Sequence, residues 1–319
     1  MIITRLSRSP FLPLAIALSA SLAVAQCPSE WQPLGTGLSA GCSALTVRPN
    51  GDLIAGGDFG SAGRVKALHV ARWNGTAWTA LGSGVNGTVY DAMTTTNGDV
   101  VITGGFSHAG LTQVNRIARW NGASWTALGS GCNDWVSPIV TMPNGDIVVG
   151  GYFTAAGGVP ASRVARWNGA TWAPLGSGVG GGSNATVNSL AVLANGDLIA
   201  GGLFSLAGGV PAQSVARWNG TTWSAVGAGG LYYVHCLLEL PNGDILAGGA
   251  FLAGSSGNYL SRWNGSTWSS MGTFDGAVGS LRLLPNGDVL VGGDFTVAGG
   301  TPAGGLARWD GTDWHDASG

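Results

Sequence analysis

The chain has 319 residues, of which 9% are charged, with 57 glycines, 14 tryptophans and a formal net charge of −2. Charged residues usually make up about a quarter of a soluble chain, and here basic groups are fewer than acidic ones, so a nucleic-acid surface or an anionic-membrane patch is excluded for want of cations. Few groups remain for acid–base chemistry either.

At the N-terminus, Arg5 and Arg8 precede a mostly apolar run from Phe11 to Ala25 that ends in Ala23-Val24-Ala25. Charged start, short apolar stretch and small-residue end are the parts of a secretory signal peptide. Pro13, Ser19 and Ser21 interrupt the run, which falls short of the about 20 apolar residues of a membrane-spanning helix. Residues 1–25 are therefore expected to be a signal peptide cleaved before Gln26, with the chain secreted or held in the periplasm or envelope and not inserted in a membrane. A lipid anchor on Cys27 is disfavoured by Gln26, which stands where a small residue belongs. Residues 26–319 are expected to form a single domain.

Next comes Trp31-Gln32-Pro33-Leu34-Gly35, and from there the chain repeats. Asn-Gly-Asp begins at Asn50, Asn97, Asn144, Asn195, Asn242 and Asn286, at spacings of 47, 47, 51, 47 and 44. A period in this range marks a solenoid or a propeller. Each copy continues with an apolar run and a glycine doublet (Leu53-Ile54-Ala55-Gly56-Gly57 in the first), a loop of about ten residues, Arg-Trp-Asn-Gly and a second tryptophan. In the last copy Asp310 replaces the Asn.

Asn-Gly between apolar runs predicts a two-residue type I′ hairpin. Two per copy give four strands, A to D, and no segment has a helical period or cap. Strand A is apolar on both faces, as in Leu237 to Leu240, which fits an inner strand buried between neighbouring sheets. The fold class expected is all-β, a β-propeller of six four-stranded blades, since antiparallel four-stranded units favour radial closure over a solenoid. A two-residue loop at Asn74-Gly75 would make Trp73 and Trp78 diagonal neighbours on one face, with Arg72 on the other. The repeated arginines (Arg72, Arg119, Arg166, Arg217, Arg262, Arg308) and the Asn-Gly-Asp aspartates share one end of each unit and are expected to pair. Trp31 to Gly35 copies strand D, Trp78-Thr79-Ala80-Leu81-Gly82. It either completes the last blade in place of Trp314-His315-Asp316 or lies outside the ring.

Four-stranded units with a glycine doublet after strand B and tryptophans further on resemble the kelch repeats of galactose-oxidase-like propellers. Leu240 to Gly249 is similar to the bacterial delta-60 repeat, and the Ala-Arg-Trp-Asn-Gly phrase is similar to the fungal cortical cell-polarity marker family. These resemblances run from about Trp31 to Trp314 and imply a secreted propeller.

With tight turns joining A to B and C to D, the longer B–C and D–A loops fall together on the opposite face, where a rigid scaffold can carry binding residues. Departures from the repeat there are Tyr90, Asp91, Asn133, Asp134, Trp135, Asn188, Tyr232, Tyr233, His235, Phe274 and Asp275. Tyr90, Asn188 and His235 occupy one slot, seven residues before Asn-Gly-Asp. Aromatic planes beside amides and carboxylates suit a sugar or another small polar ligand. The candidate ligand-binding set is Tyr90, Asp91, Asp134, Trp135, Asn188, Tyr232, Tyr233, His235 and Asp275.

Catalytic signatures are harder to find. A galactose-oxidase-type copper site needs several His and Tyr ligands on converging loops, and His69, His108, His235 and His315 lie at unrelated places in the repeat, without metal-ligand spacing. Asp91 with Asp134, or Asp58 with Asp294, offers a carboxylate pair for glycoside hydrolysis. Cys27, Cys42, Cys132 and Cys236 allow three disulfide pairings, of which Cys27–Cys42 would span opposite faces. Cys42 fills the slot of Val89, Val136, Val187, Val234 and Val278, and so is expected to be a small buried hydrophobe. The function expected is a secreted, non-catalytic binding or scaffold module acting as a single chain, with no metal or cofactor, whose partner is a carbohydrate or an extracellular or envelope protein. The alternative is a secreted glycoside hydrolase or kelch-type oxidase with its site on the B–C/D–A face.

Overall fold

The computed structural model describes residues 33–227, 231–250 and 259–317. The expected signal peptide, Cys27 and Trp31-Gln32 lie outside the described residues. Residues 33–319 form one compact unit. The described residues form six four-stranded antiparallel sheets, each in the order A-B-C-D, and contain no helix. In the first sheet these strands are Cys42–Val47, Leu53–Gly57, Val70–Trp73 and Trp78–Ala80. The other A strands are Val89–Thr94, Val136–Thr141, Thr186–Val192, Tyr233–Glu239 and Val278–Leu283, and from the first to the sixth each packs beside the next. The fold is a β-propeller.

The turns differ from the two-residue expectation. Val47 pairs with Leu53, and the loop closes with Gly51 N–H donating to Arg48 C=O at 2.9 Å and Arg48 N–H to Asp52 C=O at 2.8 Å. Pro49 at the first central position fits a type I turn, and Gly51, at φ 88°, supplies the left-handed residue that follows it. Asn50 has no positive φ. Its side chain instead accepts the Asp52 N–H and donates to the Asp52 carboxylate. In the C–D turn Trp73 pairs directly with Trp78 across a four-residue loop, because the Asn74 side chain accepts the Thr76 and Ala77 N–H groups. Direct opposition still puts both indoles on one face, 5.4 Å apart. The B–C loops also carry more order than expected, for example the two-residue ribbon of Ser61–Ala62 with Val65–Lys66.

The repeated charges pair within each sheet: Arg72 with Asp52 at 2.6 Å, Arg119 with Asp99 at 2.5 Å, Arg166 with Asp146 at 3.4 Å, Arg217 with Asp197, Arg262 with Asp244 at 2.5 Å and Arg308 with Asp288 at 2.5 Å. The aspartates are nearly buried, so the pairing replaces lost hydration.

Two devices join neighbouring sheets. In four of the six sheets the first glycine of the doublet is a socket for the valine of the next A strand, and a Cβ on Gly56, Gly150, Gly201 or Gly248 would lie 2.4–2.6 Å from Val89, Val187, Val234 or Val278; in the second sheet Thr103 stands at that position. The second tryptophan of each pair donates its indole N–H to a carbonyl at the end of the preceding D strand: Trp125 to Leu81, Trp172 to Leu128, Trp223 to Leu175, Trp268 to Val226 and Trp314 to Met271. Trp78 donates to Leu34 in the same way, at 2.9 Å. Leu38 also bridges Ala62 as Val85 bridges Ala109. The chain therefore enters the first sheet along the path of a preceding D strand.

The first sheet's other half is bare. Leu45 and Val47 are 62% and 60% exposed, and Cys42 is exposed rather than buried as its slot implied. The valines in that slot of the other five sheets are all at 0%. No Cys42 atom enters the Gly292 socket of the sixth sheet, and this missing contact is why the cysteine stays exposed.

Candidate functional site

Every A strand shifts register at the same place, between Cys42 and Ala44, Val89 and Asp91, Val136 and Ile139, Val187 and Ser189, Val234 and Cys236, and Val278 and Ser280. Such a bulge releases a residue from the ladder and re-aims its side chain. From the second sheet to the sixth, the released residues Tyr90, Ser137, Asn188, His235 and Gly279 line one cavity of about 380 Å³, together with Trp135 and Tyr233. Five strands distant in sequence thus meet at a single opening.

Aromatic contacts hold the wall. The Trp135 ring stacks on Tyr152 at 5.6 Å and 9°, and Tyr90 meets it edge-on at 6.2 Å. Tyr152 is pinned by its hydroxyl, which donates to Ser183 C=O at 2.8 Å, and by the Arg163 guanidinium 4.6 Å from its ring centroid. Across the cavity Tyr233 packs edge-on against His235 at 4.7 Å. Asn188 donates to Val234 C=O at 3.2 Å and accepts the Thr186 hydroxyl at 3.1 Å. The His235 Nε2 is buried without a hydrogen-bond partner. Burial pushes the His235 pKa down, with Asp294 pulling the other way, so the ring favours its neutral form.

A second recess of about 250 Å³ shares Trp135 and Tyr233 with this cavity and adds Tyr152 and Asn184. A third, of about 470 Å³, shares Asn184 and Leu203 with the second and adds Gln213, Ser214 and Tyr232. The three lie in series, and no Asp, Glu, Lys or Arg lines any of them among the described residues.

Of the candidate set, the structure gathers Tyr90, Trp135, Asn188, Tyr233 and His235 at the cavity and sets Tyr232 in the outermost recess. The three aspartates are engaged elsewhere. Asp91 accepts the Ile139 N–H of the next sheet at 3.0 Å and its neighbour Ala92 N–H at 2.8 Å, and burial pushes its pKa up to about 6. Asp134 accepts the Trp135 N–H at 2.7 Å. Asp275 accepts the N–H groups of Thr296 and Val297 and the Thr296 hydroxyl, and these bonds hold its pKa low. Asn86 and Asn133 bind the N–H pairs of their own B–C loops in the same manner, so Asp275 belongs to the repeat framework.

Tyr152, Ser137 and Gly279 were not singled out in the sequence. The slot six residues after the Asn-Gly-Asp aspartate holds Asp58, Gly105, Tyr152, Leu203, Ala250 and Asp294, a departure from the repeat as large as that of the bulge slot, and it was the available signal. Among the described residues no group of three or more His, Cys, Asp or Glu side chains is placed to hold a metal ion. Cys42, Cys132 and Cys236 are free thiols.

Two segments, residues 143–168 and 284–309, match the profile of a family described as "Domain of unknown function (DUF5122) beta-propeller". No curated protein sequence matches the chain. Among solved structures, the extracellular domain of a hybrid two-component system from B. thetaiotaomicron is similar with a TM-score of 0.59 at 12% identity, over 88% of this chain and 35% of that one. A catalytically inactive virginiamycin B lyase from Staphylococcus aureus is similar at 0.56 and 14% identity, over 88% and 85%. YCF48 with a bound peptide is similar at 0.51 and 15% identity, over 85% and 79%. The chain spans about a third of the length of the two-component extracellular domain. At these identities the likeness is one of fold, and that fold is the β-propeller.

Proposed function

We propose that the protein is an exported, non-catalytic binding module that holds its ligand in the cavity encircled by the A-strand bulges. One observation carries this reading: the bulge residues of five different strands, at a slot whose residue changes from copy to copy, converge on one opening. A purely structural bulge would have no need of Tyr, Asn and His where the sixth copy has Gly279. Rigid aromatic walls and a few neutral polar groups are the usual make-up of a small-molecule site. Hydrolysis by paired carboxylates is less well supported, since Asp91 and Asp134 accept backbone N–H groups and His235 is the cavity's lone titratable group apart from the tyrosines.

The N-terminal sequence supports export, and the B. thetaiotaomicron neighbour being an extracellular domain agrees with an extracellular or envelope setting. The partner would be an extracellular or envelope component, met by a single chain. Within the propeller fold, the repeats are read as resembling the kelch and delta-60 types.

The experiment compares the protein with Trp135→Ala and Gly279→Trp for retention on immobilised extracellular polymer and envelope fractions. Gly279 has open space beside it, so a large side chain there fills the cavity with little strain. Both variants should lose retention while keeping the melting temperature. Retention that survives both would refute the cavity as the site, and turnover of a chromogenic glycoside abolished by His235→Ala would establish the enzyme reading instead.

A further inference from the structure

The three recesses are not a generic sample of this surface. A crevice of about 540 Å³ among the tight turns has Asp146 and Arg166 in its wall, and another beside Asn133 has Arg116. Among the described residues the series that begins at the bulges has no such group, so a charged ligand would give up its hydration there without a counter-charge. Along the series, neutral hydrogen-bonding side chains recur: Ser137, Asn188 and His235 at the cavity, then Asn184, Gln213 and Ser214. Among these, the His235 Nε2 is a buried atom without a hydrogen-bond partner.

Trp135 supplies the other half of the chemistry. Its ring is already held by Tyr152 and Tyr90, so ligand binding need not order it, and a pre-ordered contact avoids that entropy cost. A flat, fixed indole flanked by amides and hydroxyls matches a ring that has an apolar C–H face and equatorial hydroxyls. A series of recesses joined through Trp135, Tyr233 and Asn184 matches several such rings linked in a chain.

We infer that the ligand is an uncharged oligosaccharide, seated with one sugar ring against Trp135 in the bulge cavity and continuing past Asn184 towards Tyr232. This assignment rests on the reading of the cavity as a binding site. An uncharged peptide is the competing occupant, and the test separates the two.

The experiment is isothermal titration of the protein at millimolar concentrations of cellotetraose, maltotetraose, xylotetraose, mannotetraose and chitotetraose. Tetragalacturonate serves as the charged saccharide, and an acetylated, amidated Gly-Ser-Tyr-Gly tetrapeptide as the uncharged peptide. At least one neutral tetrasaccharide should bind, at least tenfold more tightly than either comparator. Trp135→Ala should weaken it at least tenfold and Tyr232→Ala to a smaller extent, with Trp135→Phe retaining part of the affinity and all three variants melting like the parent. Preference for the peptide or the charged saccharide, lost in Trp135→Ala, would overturn the saccharide assignment while keeping the cavity as a site. Binding unaffected by Trp135→Ala and Gly279→Trp, or no binding by any probe, would overturn both.

Discussion

At the seam between the fourth and fifth sheets, Val234 and Leu237 lie against Gly201 and are 0% and 8% exposed. Their counterparts in the first sheet, Cys42 and Leu45, have the same backbone setting and stand in solvent. On the sixth sheet the corresponding socket, Gly292, meets no side chain of the first sheet. Leu290 and Leu306, whose counterparts Ile199 and Val215 are buried, are only half-buried. A repeat unit therefore has two unfinished faces, and its stability comes from neighbours rather than from its own strands. Interior units have both faces covered; the first and last do not.

That contrast sets the expected size of substitutions. The largest effect belongs to Trp172→Ala, which removes a buried ring and its bond to Leu128 and should cost roughly 3–5 kcal/mol. Trp314→Ala, on a half-buried ring in the last sheet, should cost clearly less when both are measured by urea unfolding. Leu237→Ala should lose about 2–4 kcal/mol, whereas Leu45→Ala should stay within about 0.5 kcal/mol. Equal losses at the two leucines would mean that the first sheet is covered in solution.

Asp91 gives the contrast a pH dependence. Its pKa lies near 6 in the folded chain and near the ordinary carboxylate value when unfolded, so the folded state holds the proton more tightly. Stability should be highest below about pH 4 and fall as pH rises towards 6, then level off, by roughly 2–3 kcal/mol from this group. Ser189 makes the corresponding inter-sheet bond, accepting the Leu237 N–H at 3.0 Å, with no charge. Asp91→Ser should therefore keep the bond and remove this part of the pH profile, as read by melting temperature from pH 4 to 7.

Smaller effects follow at the sockets and the ion pairs. Gly201→Ala places a Cβ 2.6 Å from Val234 and should cost about 1–3 kcal/mol. Gly292→Ala meets chiefly the rotatable Ser280 hydroxyl and should be nearly silent. Asp146→Ala removes a partner of half-exposed Arg166 and should cost about 1 kcal/mol without changing ligand retention, whereas lost retention at full stability would move these charges into the functional machinery.

The repeat, the four strands of each unit, the all-β class and the pairing of Arg with Asp were legible in the chain, because each depends on residue types at short, recurring separations. Turn geometry was legible only in part: Asn-Gly marks a turn, yet the Asn50 and Asn74 side chains bind nearby N–H groups and select longer loops than a two-residue hairpin. The departures from the repeat include Tyr90, Trp135, Asn188, Tyr233 and His235, which line one cavity, and equally Asp91, Asp134 and Asp275, whose carboxylates accept backbone N–H groups. Which departures face a common opening depends on the bulge in each A strand and on how neighbouring sheets are set around it, a relation between residues some 47 positions apart. Cys42 makes the same point at the edge: its slot reads as buried from the repeat, and it is exposed because burial belongs to the neighbour that covers a face and not to the residue that forms it.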